Sequence, residues 1–379
     1  MIRVCNFKSS FAGSISDQSQ SASLPGAHSA MRCSSRLRVQ KSMEGSQTIY
    51  GQRTAGFLNA SIAGSFTGRG VTWSKIGKKS QDFWERKGGV DVADKGLSGT
   101  TRNPKAAGPG KTTDAAHHIQ DLTIQSSLEK IKHKLMVMSG KGGVGKSTLA
   151  ANLAVALSKR GLKVGLMDVD LHGPSIARMM GLSGLLDVVD GKFAQPKAFS
   201  ENLKVVSMAS LLQDENQAVI WRGPAKIGVI RQFISDVKWE RLDYLVIDSP
   251  PGTGDEPLTV NQTIPDAKAI IVTTSQEISL ADVRKSINFC RHVNMEILGV
   301  IENMGTFRCP HCRQPVDLFK KGGGKATAEL MSAPFLGTVP FHQDVVKGSD
   351  EGRPLMSSEG DSEFHKAFEA IVDRIIEQA

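Results

Sequence analysis

The chain has 379 residues, of which 40% are hydrophobic, a length that permits one large domain with an extension or two modest domains. Its formal net charge of +9 would suit a nucleic acid or an anionic membrane, but much of the excess lies before residue 60, and no basic stripe interleaved with aromatics follows. No apolar run approaches the roughly 18 to 20 residues that span a bilayer. We therefore predict neither nucleic-acid binding nor stable membrane insertion. Five cysteines are too few for a disulfide framework in such a chain, which favours a reducing compartment.

Residues 1–120 are predicted to be a presequence and linker that is largely disordered. The start of this segment is rich in serine and arginine and poor in acids, with only Asp17 and Glu44 before residue 60. This composition is typical of an organellar transit peptide rather than of a secretory signal with its apolar centre. The predicted location is the mitochondrial matrix, with a plastid or the cytoplasm as alternatives. A plain disordered tail or a misassigned start remains the other interpretation.

From Asp121 the pattern changes, and residues 121–379 are predicted to be one α/β domain with a mostly parallel central sheet flanked by helices. Short apolar runs alternate there with helical stretches, the signature of βαβ units. The predicted strands are Leu135–Ser139, Lys163–Met167, Leu203–Ser207, Tyr244–Asp248, Ala269–Thr273, Leu298–Glu302 and Leu336–Val339. The predicted helices are Lys146–Arg160, Ala225–Val237, Leu280–Val293, Gly324–Met331 and Glu363–Glu377.

A glycine-rich segment separates the first predicted strand from the first predicted helix and matches the P-loop pattern G-x-x-x-x-G-K-[ST]. In this pattern backbone N–H groups close around phosphates, the lysine neutralises charge and the hydroxyl binds Mg²⁺. A chance match is disfavoured because the strand and the helix lie where the motif requires them. We therefore predict an ATP site formed by Gly140, Lys141, Gly142, Gly143, Val144, Gly145, Lys146, Ser147 and Thr148, with Ser147 as a magnesium ligand.

A second lysine, Lys141, follows the first glycine of the motif and cannot occupy the pocket that Lys146 fills. This segment resembles the deviant Walker A motif of the MinD, ParA, nitrogenase iron protein and Mrp class of ATPases. In that class the extra lysine reaches across a dimer to the partner's nucleotide, so the resemblance implies a homodimer and a catalytic role for both lysines. A solvated loop lysine is the alternative.

Two later segments place carboxylates at strand ends. Asp168 and Asp170 follow one predicted strand, and Asp248 ends another before a Pro-Pro-Gly loop. The first segment resembles switch I of Mrp-type ATPases, which would place Asp170 beside the γ-phosphate as a catalytic residue. The second has the form of a Walker B strand, in which Asp248 supports the Mg²⁺ shell from the second layer. The alternatives are a helix cap for Asp168, a solvated Asp170 and a mere turn after Asp248.

Cys309 and Cys312 lie three positions apart, so they can bind one metal ion or one edge of an iron–sulfur cluster. A closed zinc site or a [4Fe–4S] cluster needs four ligands, so each chain supplies half a site. A two-fold axis would complete it. His311 is expected to face solvent, and Cys290, on an apolar helical stretch, to be a buried structural cysteine. A redox pair, a zinc site within one chain and no metal are the alternatives.

Taken together, these motifs resemble the Mrp/ApbC group of iron–sulfur carrier ATPases, which includes the mitochondrial NUBPL-type proteins, over about Leu128–Pro354. The resemblance implies an ATPase that binds a bridging [4Fe–4S] cluster at its dimer interface, receives it from upstream donors and passes it to apo-proteins, with slow hydrolysis coupled to transfer. It also implies that Asn303 recognises the adenine base. It implies no role for Trp221–Pro224. The alternatives are a MinD/ParA-like positioning ATPase and an ATPase with a zinc-stapled dimer. The acidic polar face of Glu363–Glu377 disfavours membrane anchoring.

Overall fold

The computed structural model describes residues 112–170, 173–211, 223–317 and 319–379. The α-helices are α1 (Thr112–Leu128), α2 (Lys146–Lys159), α3 (Ile176–Met179), α4 (Gly223–Ser235), α5 (Asp255–Thr263), α6 (Glu277–His292), α7 (Gly323–Leu330), α8 (Gln343–Asp350) and α9 (Glu363–Gln378). The strands are β1 (Ile131–Ser139), β2 (Val164–Asp168), β3 (Asp187–Val189), β4 (Phe193–Gln195), β5 (Lys197–Ser200), β6 (Leu203–Ser207), β7 (Leu242–Asp248), β8 (Lys268–Thr273), β9 (Ile297–Glu302), β10 (Phe307–Arg308), β11 (Pro315–Val316) and β12 (Phe335–Thr338).

Eight strands form one central sheet in the order β12-β9-β8-β1-β7-β2-β6-β5. All neighbours pair in parallel except β5 and β6. The central strands consist largely of Val, Ile, Leu and Met because helices cover both faces, and the buried apolar residues form two clusters. The carboxyl ends of β1, β2, β7 and β9 therefore meet at one edge, where ligands bind in sheets of this type.

The predicted α/β class and the mostly parallel sheet are confirmed, and each predicted strand and helix has an observed counterpart. Strand β1 starts four residues before the predicted Leu135. The prediction missed these residues because two charged residues interrupt the apolar run. Lys132 pairs with Asp243, and the buried Lys134 pairs with Asp266, so both fit within a strand. Helices α5 and α8 escaped prediction because each is short and contains a helix-disfavouring residue, proline in α5 and glycine in α8.

Helix α1 begins at Thr112, inside the range 1–120 predicted as presequence and linker. Its described side chains include the buried Ile124, and its Asp121 pairs with Arg231 of α4, so it packs on the domain. Residues 1–111, which hold most of the predicted presequence and the cysteines at positions 5 and 33, lie outside the described residues, as do Leu171, His172, Trp221 and Arg222. No helix in the described part of the chain is both long and apolar enough to cross a membrane.

Candidate functional site

The P-loop connects β1 to α2 at the carboxyl edge of the sheet. Gly143 and Gly145 have φ values of +80° and +83°, a left-handed conformation that residues with a Cβ rarely adopt. At Gly140 a Cβ would lie 2.4 Å from the backbone carbon of Asp282 on α6. Three glycines of the motif are therefore required by the backbone, and the loop leaves its N–H groups beside the N-terminus of α2, as phosphate binding requires.

Lys146, at the first position of α2, is buried against the end of β7. Its Nζ lies 2.5 Å from Asp248 Oδ1 and 3.1 Å from Ser147 Oγ. The other carboxylate oxygen, Asp248 Oδ2, is buried and has no hydrogen-bond partner among the described residues. An orphaned anionic oxygen beside a serine hydroxyl suits a hydrated Mg²⁺. The residues present thus fit the predicted assignment, with Ser147 as the direct ligand and Asp248 holding water of the shell.

Asp168 lies beside Asp248 in register on the neighbouring strand, and its side chain is fully buried. Burial raises its pKa to about 8, and the charge of Asp248 adds to the effect. Burial likewise raises the pKa of Asp248, although Lys146 opposes the shift. Asp168 accepts hydrogen bonds from the backbone N–H of Asp170 and of Ile176, the first residue of α3, and from the Ser207 hydroxyl. It therefore shapes the segment after β2 and caps α3.

Asp170 lies two residues beyond the end of β2, where its side chain is partly accessible. Its Oδ1 accepts a hydrogen bond from the Gly173 backbone N–H at 3.2 Å. Because β2 and β1 both flank β7, this carboxylate belongs to the same sheet edge as the P-loop. The position is compatible with a residue that faces the end of a triphosphate, and its catalytic role stays a prediction.

Lys141 is exposed, and no ion pair engages its side chain among the described residues. Its backbone carbonyl accepts a hydrogen bond from Ser139 Oγ, which fixes the start of the loop. An exposed side chain is compatible with a lysine that acts in trans, and that role stays a prediction.

Asn303 is buried immediately after β9, and its Nδ2 donates a hydrogen bond to the Val144 carbonyl at 2.9 Å. The amide therefore supports the P-loop backbone, a contact that sequence reasoning did not predict. It also borders a small pocket of about 150 Å³ that Gly145, Thr148 and Phe341 help to line. This pocket adjoins the first turn of α2, where a base attached to bound phosphates would lie, and adenine recognition by Asn303 stays a prediction.

Cys309 and Cys312 occupy the turn of the short β10–β11 hairpin, which follows β9. Backbone hydrogen bonds between Cys309, Arg313 and Gln314 close the turn, and Arg313 adopts a left-handed conformation. Hydrogen bonding by the backbone of Cys312, the backbone of His311 and the Cys312 side chain lowers the pKa of the Cys309 thiol. The hairpin thus favours the thiolate, the form that binds metals.

Cys309 is partly accessible, Cys312 is exposed, and His311 is exposed as predicted. Within the described residues no group of three or more His, Cys, Asp or Glu side chains converges on a metal position. Cys290 is buried, its sulfur lies 3.5 Å from Met138 Sδ, and burial raises its pKa to about 12. That environment agrees with the predicted structural role, and among the described residues the accessible thiols are those of Cys309 and Cys312.

Sequence reasoning missed the residues that anchor the hairpin to the domain. Arg308 forms an exposed ion pair with Glu363 at the start of α9, and the Phe307 ring packs edge-on against Phe341. Glu302, buried at the end of β9, accepts a hydrogen bond from the backbone N–H of Gly324 in α7. The one sequence signal for any of these residues was an acidic residue at the end of an apolar strand, and that residue is Glu302.

The parallel sheet, the P-loop and the carboxylate at the end of β7 together define a P-loop NTPase. The family model described as ParA, NUBPL iron-transfer P-loop NTPase, matches residues 130–376, so the chain belongs to this family. The resemblance to Mrp/ApbC/NUBPL-type proteins is thereby confirmed.

Individual relatives agree with this assignment. An iron-sulfur cluster carrier protein of Methanocaldococcus jannaschii is 46% identical over 68% of this chain and 89% of its own length. The cytosolic Fe-S cluster assembly factor CFD1 of Eremothecium gossypii is 45% identical over 66% of this chain and 94% of its own length. A solved nucleotide-binding protein from Archaeoglobus fulgidus, in complex with ADP, is 41% identical with a TM-score of 0.56, covering 64% of this chain and 94% of that one.

Proposed function

We propose that this protein is an ATP-dependent iron–sulfur cluster carrier that holds a bridging [4Fe–4S] cluster at a homodimer interface and transfers it to apo-proteins. The observation that carries the proposal is the accessible cysteine hairpin, with a thiol primed for the thiolate form, at the same sheet edge as a P-loop. The names of the carrier and assembly-factor relatives support the same activity for this chain.

In this proposal each group has a defined task at the nucleotide. Lys146 leaves Asp248 to neutralise phosphate charge, and the freed carboxylate holds water around Mg²⁺, which supplies Lewis-acid stabilisation of the phosphates when bound. Asp170 orients the attacking water. Lys141 reaches the nucleotide of the partner subunit and makes hydrolysis depend on the dimer, so that a slow hydrolysis is coupled to cluster transfer.

The cargo is received from upstream donors and held by four thiolates, two from each chain, because Cys309 and Cys312 supply only half the ligands of a cubane cluster. A position near solvent keeps such a cluster accessible to apo-proteins.

Anaerobic reconstitution with iron and sulfide tests the cargo. We expect broad visible absorbance and about one [4Fe–4S] cluster per two chains. The double variant Cys309→Ala/Cys312→Ala is expected to lose the cluster, whereas Cys290→Ala, the matched buried control, is expected to keep it. A cluster that survives the double variant refutes the assignment, and purified protein that holds only zinc, one ion per two chains, identifies a zinc-stapled dimer instead.

A pair of lysine variants tests the nucleotide site. We expect Lys146→Ala to abolish ATP binding, because it removes phosphate neutralisation, and Lys141→Ala to retain binding while losing hydrolysis or dimer formation. Equilibrium binding of a fluorescent ATP analogue and sedimentation measure the two properties. Equal loss of binding in both variants would remove the basis for a lysine acting in trans.

The location and domain proposals concern the leader. We propose that residues upstream of about 112 are a mitochondrial targeting segment and linker, so a chain starting at Thr112, where α1 begins, folds and binds ATP. A reporter fused to residues 1–111 is expected in mitochondria. A diffuse cytosolic signal would defeat this proposal and agree with the cytosolic location in the name of the CFD1 relative, leaving the carrier function untouched.

A further inference from the structure

The segment Pro340–His342 forms a wall shared by two cavities. On one side lies the pocket of about 150 Å³ bordered by Gly145, Thr148 and Asn303. On the other lies a cavity of about 680 Å³ lined by Cys309 together with Arg308 and Arg313. A residue in this wall therefore touches both the nucleotide side of the domain and the cysteine side.

The wall is joined to the cysteine hairpin through Phe341. Its ring meets that of Phe307 edge-on, with centroids 5.6 Å apart and planes at 81°. The two residues also pair through a backbone bridge, and Gly305 N–H donates to the Val339 carbonyl at 2.9 Å. Only six positions along the chain therefore separate Asn303, which contacts the P-loop, from Cys309. Between them, Gly305 and Phe307 hold the chain against the wall.

The hairpin itself has little means of fixing its own position. Its strands contain two residues each, and a short two-stranded hairpin is marginal in water without outside contacts. The Arg308–Glu363 ion pair is about half exposed at both ends, a setting in which such pairs contribute little. Phe307, half-buried against Phe341, is the stronger anchor, since aromatic pairs contribute beyond the area they bury.

We propose that Phe341 and Phe307 are positioning residues that transmit occupation of the nucleotide pocket to the cysteine hairpin. A base bound in the small pocket contacts the Phe341 side of the wall, and the edge contact passes the displacement to Phe307 and so to Cys309. The inference rests on the proposed function and extends it, because it identifies the contact by which ATP controls how the thiols are presented to the cargo.

Alkylation of the hairpin thiols measures this coupling without any cluster. Full-length protein is treated with N-ethylmaleimide in the presence and absence of a non-hydrolysable ATP analogue with Mg²⁺, and modification of the peptide containing Cys309 and Cys312 is followed by mass spectrometry. We expect the analogue to change the wild-type rate by about threefold to tenfold, the range that an aromatic edge contact supports.

Phe307→Leu is the decisive variant, because Phe307 lines the cysteine-side cavity and not the nucleotide pocket. It is expected to bind the analogue as wild type does and to lose the rate change. Phe341→Leu is also expected to lose the rate change, and Phe341→Tyr, which keeps the aromatic edge contact, is expected to retain it. Phe335 is a half-buried aromatic residue of β12 that packs on a hydrophobic core cluster, and Phe335→Leu is the matched control, which is expected to keep the rate change.

A wild-type rate that ignores the analogue, or a Phe307→Leu protein that still responds, overturns the proposal. Failure of cluster reconstitution would instead refute the carrier function, because the alkylation readout needs no cluster.

Discussion

The buried pair of Lys146 and Asp248 gives the sharpest test of the site's electrostatics. Lys146→Met keeps the aliphatic stem and removes the charge, which leaves Asp248 fully buried, with one oxygen already unpartnered and a second buried acid, Asp168, beside it. Breaking a buried ion pair by removing one partner costs about 3–5 kcal/mol. Protonation of an acid limits that cost, so we expect a loss near the lower end, about 3 kcal/mol of unfolding free energy at pH 7 without nucleotide.

The expected pH dependence follows from the raised pKa of both acids. The folded chain retains protons that the unfolded chain releases, so these groups favour folding at acidic pH and lose that contribution as pH rises towards the folded pKa, about 8 for Asp168. Removing Lys146 raises the folded pKa of Asp248 further. The destabilisation by Lys146→Met should therefore be smallest near pH 5 and grow towards pH 8.

Urea unfolding followed by circular dichroism at several pH values measures these differences. Lys134→Met is the matched control, because Lys134 is equally buried but its partner, Asp266, is mostly exposed and can be solvated alone. We expect it to cost less than Lys146→Met, and Lys146→Met/Asp248→Asn to recover most of the loss. A loss below about 1 kcal/mol at pH 7, or one that shrinks as pH rises, would refute the reasoning.

Three further outcomes are expected at the site. Gly145→Ala should weaken ATP binding more than tenfold, since its Cβ would lie 2.2 Å from Asn303 Nδ2 and left-handed backbone costs about 1–2 kcal/mol outside glycine; unchanged binding by calorimetry would contradict this. Asp170→Asn should retain Mg-ATP and slow hydrolysis by about 10²-fold or more, and phosphate release at saturating ATP checks it. Cys309 should be alkylated with an apparent pKa below the usual thiol value, while Cys290 stays unreactive until the protein unfolds; equal reactivity of the two thiols would disprove the assigned environments.

The sheet and the P-loop could be predicted because each rests on a local rule. Apolar runs that alternate with helical stretches predict a parallel sheet. The glycine at position 145 of the P-loop motif indicates the left-handed backbone that the structure has there. The role of Asp168 could not be decided in this way. Its spacing from Asp170 suggested either a paired chemical role or a cap, and only the fold brings Ser207 and Ile176 to its carboxylate.

Long-range contacts account for the other gaps. Lys134 sits in a buried strand because Asp266, 132 residues later, pairs with it, and no local pattern encodes that partner. Phe307 and Phe341 are likewise separated by the whole of the cysteine turn, α7 and β12 before they meet. A motif search finds the residues that touch a ligand, whereas the residues that hold those in place are scattered according to the fold.

The sheet order also bears on how one dimer could serve two sites. Strands β1 and β9 both flank β8, so the P-loop and the cysteine hairpin leave the sheet about 10 Å apart at the same edge. A partner surface that met this edge closely enough for Lys141 to reach across would also lie near the hairpin. In the proposed dimer Cys309 and Cys312 of each chain supply half of the cluster ligands, so any nucleotide-dependent change in how the subunits approach would alter the spacing of the four sulfurs. In the proposed dimer, the approach of the subunits that brings Lys141 to the partner's nucleotide would also complete the ligand set of the cluster, so hydrolysis would act on both sites through one movement.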